Sequence, residues 1–185
     1  MGRCVVTRYE NLIFYAESIG ANIMEYDLGY DEKIGWCVEN RIYINTRMKE
    51  YEKIEVLSEE IGHFKTTFGN ISDLSNIKNS KLEKIARREG YKIFAKPSLL
   101  IDAIKSGATD DYEIADYLSV SKEILKDVIE DLKAQYGIRI PIGDYYLYLE
   151  PHLDIALNKD KINKKNNKGD VFNGKEQQWF IWIND

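Results

Sequence analysis

Leu57-Ser58-Glu59-Glu60-Ile61-Gly62-His63-Phe64 is the stretch on which the reading of this chain turns. Leu57, Ile61 and Phe64 extend a row begun by Tyr51 and Ile54, and spacings of three and four give a helix one apolar stripe. A helix is expected from about Arg47 to Phe64. Glu59 and His63 are four residues apart, so on that helix they differ by about 40° around the axis and can face one ion. Glu60, beside the first of the pair, would flank such an ion and polarise its water. The pattern is EExxH, a variant of the helical HExxH arrangement that binds zinc. Taken alone it also fits a solvated acidic face with a histidine at its border. Gly62 disfavours a helix by ~1 kcal/mol relative to Ala and marks close approach to the backbone, or tight helix packing.

On the N-terminal side, Thr7 and Glu10 have capping-box spacing ahead of Leu12, Ile13, Ala16 and Ile19, which predicts a helix over Thr7–Ile19 stopped by Gly20. Ile23–Leu28 reads as a strand. Trp36-Cys37-Val38 and Ile42-Tyr43-Ile44 read as two more, joined by a tight turn at Glu39-Asn40-Arg41. On the C-terminal side, Gly69, Asn70 and Asp73 mark a loop. Ser80 and Glu83 repeat the capping-box spacing before a helix expected over Ser80–Ala95, and Pro97 separates it from a short helix over Leu99–Ile104. Asp110–Leu118 and Ser121–Tyr136 form two helical patterns around Ser119-Val120, similar to a helix-turn-helix. The second carries Lys122, Lys126 and Lys133 against Glu123, Asp127, Glu130 and Asp131, and a net acidic helix argues against DNA recognition. Beyond Gly137 the chain turns β-like, with a strand at Tyr145–Leu149. Residues 158–176 are rich in Lys and Asn and read as a flexible loop, and Trp179–Ile183 as a last strand that would pair with the Tyr145 strand.

The chain has 185 residues, 44% hydrophobic and 31% charged, which suits one main domain with a small appendage. A net charge of −5 leaves little for sequence-independent nucleic-acid binding. No apolar run approaches the ~20 residues that span a bilayer, so no membrane role is expected. Two cysteines, Cys4 and Cys37, build neither a disulfide framework nor a CxxC metal site; both are expected to be inert thiols in a reducing cytoplasm. His152, the only other histidine, has no ligand-like spacing around it.

The run from Leu57 to Phe64 resembles the LAHEIGH signature of the ImmA/IrrE family of zinc metallopeptidases, carried by phages, mobile elements and bacterial chromosomes. The resemblance covers roughly residues 9–150 and includes several ordered blocks. These are the hairpin from Gly35 to Asn45, the segment Thr66–Ile71, Ser80–Arg87 as the family's E-x-x-A helix, and Tyr112–Val120. It implies a metal-dependent endopeptidase acting on a helix-turn-helix repressor or related regulatory protein in a bacterial cytoplasm. Matched residue by residue, His63 is the second zinc-binding histidine, Glu60 the catalytic base and Glu83 the third, carboxylate ligand. Glu59 stands where the first histidine would be. The bland alternative for Glu83, a capping box with Ser80, stays open at this point. So does a catalytically weak or inactive relative that regulates a repressor or other partner by binding.

A carboxylate oxygen is an acceptable Zn²⁺ ligand at roughly 2.0–2.2 Å. Two carboxylates cancel the formal charge of the ion, so Mn²⁺ or another hard divalent cation becomes more competitive and the bound water less acidic. Without a cation, Glu59, Glu60 and Glu83 would repel, and at least one would take up a proton. The expected architecture is α+β: a zincin-like metallopeptidase domain with a small antiparallel sheet over 1–106, a helix-turn-helix-like segment over 107–137, and a β-containing extension over 138–185.

Overall fold

The computed structural model describes residues 6–29, 35–67 and 77–159. Helix α1 (Arg8–Ser18) starts at the capping box read from the sequence. The Thr7 hydroxyl accepts the Glu10 N–H at 3.2 Å, and a Glu10 carboxylate oxygen accepts the Thr7 N–H at 2.8 Å. Its inner face buries Tyr9, Leu12 and Ala16.

Strands β1 (Asn22–Tyr26), β2 (Trp36–Val38) and β3 (Arg41–Asn45) form a sheet in the order β1-β3-β2. The hairpin β2–β3 is antiparallel, as expected, and its turn is only Glu39-Asn40, with Arg41 already in β3. The sheet is nevertheless mixed rather than antiparallel throughout: β1 runs parallel to β3, with Asn22 opposite Arg41 and Tyr26 opposite Asn45. The hairpin partner occupies one edge of β3, so β1 can add only to the other. Alternation along β3 buries Ile42 and Ile44 completely.

The motif helix α2 (Glu50–Thr67) begins three residues later than the periodicity suggests. Asn45, 2% exposed, is the reason. Its side-chain oxygen accepts the N–H groups of Arg47 and Leu28, and its amide donates to the Gly29 carbonyl. An asparagine that binds the backbone two residues on competes with helix formation and turns the chain instead. Beyond it, Ile54, Leu57, Ile61 and Phe64 form the buried stripe.

Helix α3 (Ile77–Phe94) runs antiparallel to α2. Because it starts at Ile77, Ser80 lies inside the helix and cannot be its N-cap, so the capping-box reading of Ser80 and Glu83 is wrong: an N-cap needs non-helical backbone. The two helices touch backbone to backbone. A Cβ on Gly62 would lie 2.0 Å from the Ala86 carbonyl oxygen, and one on Gly90 2.7 Å from that of Ser58.

Three further helices follow. Helix α4 (Pro97–Lys105) has Pro97 in its first turn; α5 (Asp111–Leu118) and α6 (Lys122–Tyr136) are N-capped by the side chains of Asp110 and Ser121. Helix α6 is tied to the motif helices. Arg88 of α3 holds Asp131 through a fork of bonds at 2.7–3.2 Å, and Glu55 of α2 accepts the Ser121 N–H. Strands β4 (Arg139–Ile142), β5 (Tyr145–Tyr148) and β6 (Asp154–Leu157) make an antiparallel sheet in that order. Strand β5 has β4 on one side and β6 on the other; residues 179–183, and all but the first two of the 158–176 loop, lie outside the described part. One cluster of buried hydrophobic side chains runs from Tyr9 to Leu153. Among the described residues, no helix is long and apolar enough to cross a membrane.

The Gly62 contact can be tested by Gly62→Ala. Alanine gains ~1 kcal/mol of helix propensity, but overpacking costs ~1–3 kcal/mol and a 2.0 Å approach to backbone lies at or beyond the upper end. A net loss of about 2 kcal/mol in urea unfolding is expected; equal or greater stability would show that the helices separate freely.

Candidate metal centre

Helix α2 presents Glu59 and His63 one turn apart, and antiparallel α3 presents Glu83 across from them. Each offers one ligand atom, and the three atoms lie within 4.8 Å of one another. His63 Nε2 is 3.6 Å from Glu83 Oε2. The chain thus brings together the residues matched to the metal ligands. Glu60 adjoins them on α2, half-buried, where strand β2 covers it. The Cys37 backbone N–H donates to its carboxylate. Gly35 permits that cover, since a Cβ there would stand 2.2 Å from Val56 Cγ1 and 3.3 Å from Glu60 Cγ.

Burial raises Glu60 from its ordinary 4.5 to about 7, and the charges of Glu59 and Glu83 push the same way, against the Cys37 N–H. Repulsion among the three carboxylates, the expected cause of proton uptake, is thus the smaller contribution and burial the larger. Cys37 shows the converse influence, its thiol pushed up by burial and by the Glu60 charge, which suits an inert thiol. Cys4 lies outside the described residues. His152 is exposed, beside a surface cavity of about 270 Å³ that it shares with Asp111 and Lys122, and takes no part in the cluster.

The donor set fits a divalent ion. Two carboxylates and one imidazole on helices held in backbone contact supply three ligands of the kinds zinc accepts, the number that a catalytic zinc site takes from protein. A cation would also relieve the repulsion that Glu59 and Glu83 add to the effect of burial on Glu60.

Sequence reasoning missed two members of this group, the Cys37 amide and Arg87. Arg87 Nη2 lies 3.4 Å from Glu83 Oε1 and 3.7 Å from Glu59 Oε1. Its spacing of four from Glu83 on one helix was a readable signal.

The model of the IrrE N-terminal-like domain, peptidase family M78, matches residues 16–129. The chain belongs to this family. No curated protein and no solved structure matches it. An IrrE-like domain is typically metal-dependent and has a metallopeptidase-like function, in keeping with the acidic and histidine cluster found here. The α+β architecture is compatible with a zincin-like member of the family.

Between about pH 4.5 and 7, Glu60 keeps a proton in the folded chain that the unfolded chain has released. The metal-free protein therefore loses stability as pH rises through that window, by up to about 3 kcal/mol. Glu60→Gln, which cannot ionise, should match the parent in chelator below pH 4.5 and exceed it above pH 7. Parallel urea-unfolding profiles for the two across this range would contradict the raised value.

Proposed function

We propose that this IrrE-like chain is a metal-dependent endopeptidase that binds its ion through Glu59, His63 and Glu83 and uses Glu60 as general base. The observation that carries the reading is the convergence of those three donors within 4.8 Å beside a half-buried carboxylate. Zn²⁺ suits the donor set best, with Mn²⁺ a competitor because two ligands are carboxylates. When bound, the ion supplies Lewis acidity towards a water and a peptide carbonyl.

The residues of the chain do the rest. Glu60 takes a proton from the attacking water at a carboxylate oxygen and passes it to the departing amine as the C–N bond breaks. Its burial beneath β2, which favours the neutral carboxyl, supports its holding the proton between the two steps. A nearby cation would oppose that effect of burial and favour an ionised Glu60 at the start of the cycle. The Cys37 N–H, donating to the carboxylate, orients it.

The proposed substrate is a helix-turn-helix repressor or related regulatory protein of a phage or mobile element, in the cytoplasm of a bacterial host. The helical segment 107–137 is proposed as a platform beside the catalytic part. The net acidic composition of α6 makes a protein partner the better fit than DNA.

Metal analysis of the purified full chain should find one divalent ion per chain, lost in His63→Ala. Glu60→Gln should retain the ion but cleave a co-expressed repressor at least about 100-fold more slowly. Absence of a stoichiometric ion under every loading condition, or undiminished cleavage by Glu60→Gln, would overturn the proposal.

A further inference from the structure

Glu83 divides its carboxylate between two partners. Oε2 lies 3.6 Å from His63 Nε2, while Oε1 lies 3.4 Å from Arg87 Nη2. The same guanidinium nitrogen is 3.7 Å from Oε1 of Glu59, on the facing helix. Glu59 and His63 form one pair of corners, one turn apart on α2. Glu83 and Arg87 form the other on α3, and the antiparallel helices set Arg87 against Glu59 and Glu83 against His63. The Arg87 side chain is 47% exposed, so these contacts add little to folding stability. Their effect falls on the carboxylates.

Resting on the metal centre proposed above, we infer that Arg87 is a positioning residue that sets which ion the centre prefers. By engaging one oxygen of Glu59 and one of Glu83, it leaves each a single oxygen for coordination. It also offsets part of the negative charge that Glu59 introduces in place of a neutral imidazole. Two single-oxygen carboxylates, one imidazole and one open position suit a four-coordinate tetrahedral zinc ion. Octahedral oxygen-preferring ions such as Mn²⁺ want more oxygens and more negative charge. Without Arg87, both carboxylates regain a second free oxygen and the site becomes one charge more negative. Both changes favour the harder ion, whereas the His63 nitrogen contributes most to the softer one.

The test is to titrate the full-length parent, Arg87→Leu and Arg87→Lys with Zn²⁺ and, separately, Mn²⁺ in competition with a chromophoric chelator. The preference is the ratio of the Mn²⁺ Kd to the Zn²⁺ Kd. Arg87→Leu should reduce this ratio by about tenfold or more, the usual scale for losing a group that orients metal ligands. Arg87→Lys, which keeps the charge without the planar fork, should recover part of it. An unchanged or larger ratio in Arg87→Leu, with the circular dichroism and Tm of the parent, overturns the inference. A lysine variant no better than the leucine variant overturns it as well, since the charge would then be irrelevant. A parent that binds neither ion, or a His63→Ala variant that binds both as the parent does, refutes the metal centre itself and this role with it.

Discussion

Two helices in this molecule meet at their backbones, and the candidate chemistry depends on that contact. Gly62 on α2 faces the Ala86 carbonyl, and Gly90 on α3 faces that of Ser58, at distances where no Cβ fits. Opposite glycines let antiparallel helices lie closer than side-chain packing usually allows, where interaxial distances are about 8–10 Å. Side chains of modest length rising from the same side of the pair then reach one another. Glu59 and His63 from α2 meet Glu83 and Arg87 from α3 for this reason. A glycine in the middle of a helix weakens it locally, so tertiary packing must hold α2 together. The stripe from Ile54 to Phe64 supplies that packing.

The same closeness concentrates like charge. Glu59, Glu60 and Glu83 approach one another while β2 lies over Glu60, which raises its affinity for a proton. Arg87 stands against both Glu59 and Glu83, and the Cys37 amide is the opposing influence on Glu60. A cluster so arranged reduces the stability of the metal-free fold at neutral pH, as sites shaped for chemistry commonly do. The structure offsets that cost outside the cluster. Asn45 turns the chain into α2, and Arg88 with Asp131 and Glu55 with Ser121 secure α6 against the motif helices.

Much of this was legible in the sequence. The Thr7–Glu10 capping box, the hairpin at Glu39-Asn40, the α2 stripe and the paired helices α5 and α6 rest on interactions between residues close along the chain. The readings that failed relied on local signals that longer-range structure overrode. Ser80 has capping-box spacing, yet residues upstream had already begun the helix. Asn45 delays α2 through bonds to Leu28 and Gly29, which no local pattern reveals. Strand β1 adds to β3 in parallel, because the order and direction of strands are properties of the sheet rather than of either strand.

The sequence by itself determined which residues could act together along one helix. Glu59, Glu60 and His63 share a face because helical geometry repeats every 3.6 residues, and their acidic and imidazole chemistry is inherent in the side chains. Only the tertiary structure decided that Glu83 faces His63, that Arg87 stands between two carboxylates, and that β2 buries Glu60. Those relations cross between elements separated by turns and loops. Their distances follow from how closely two helices and a strand can pack, a quantity set by Gly35, Gly62 and Gly90 jointly with the groups opposite them.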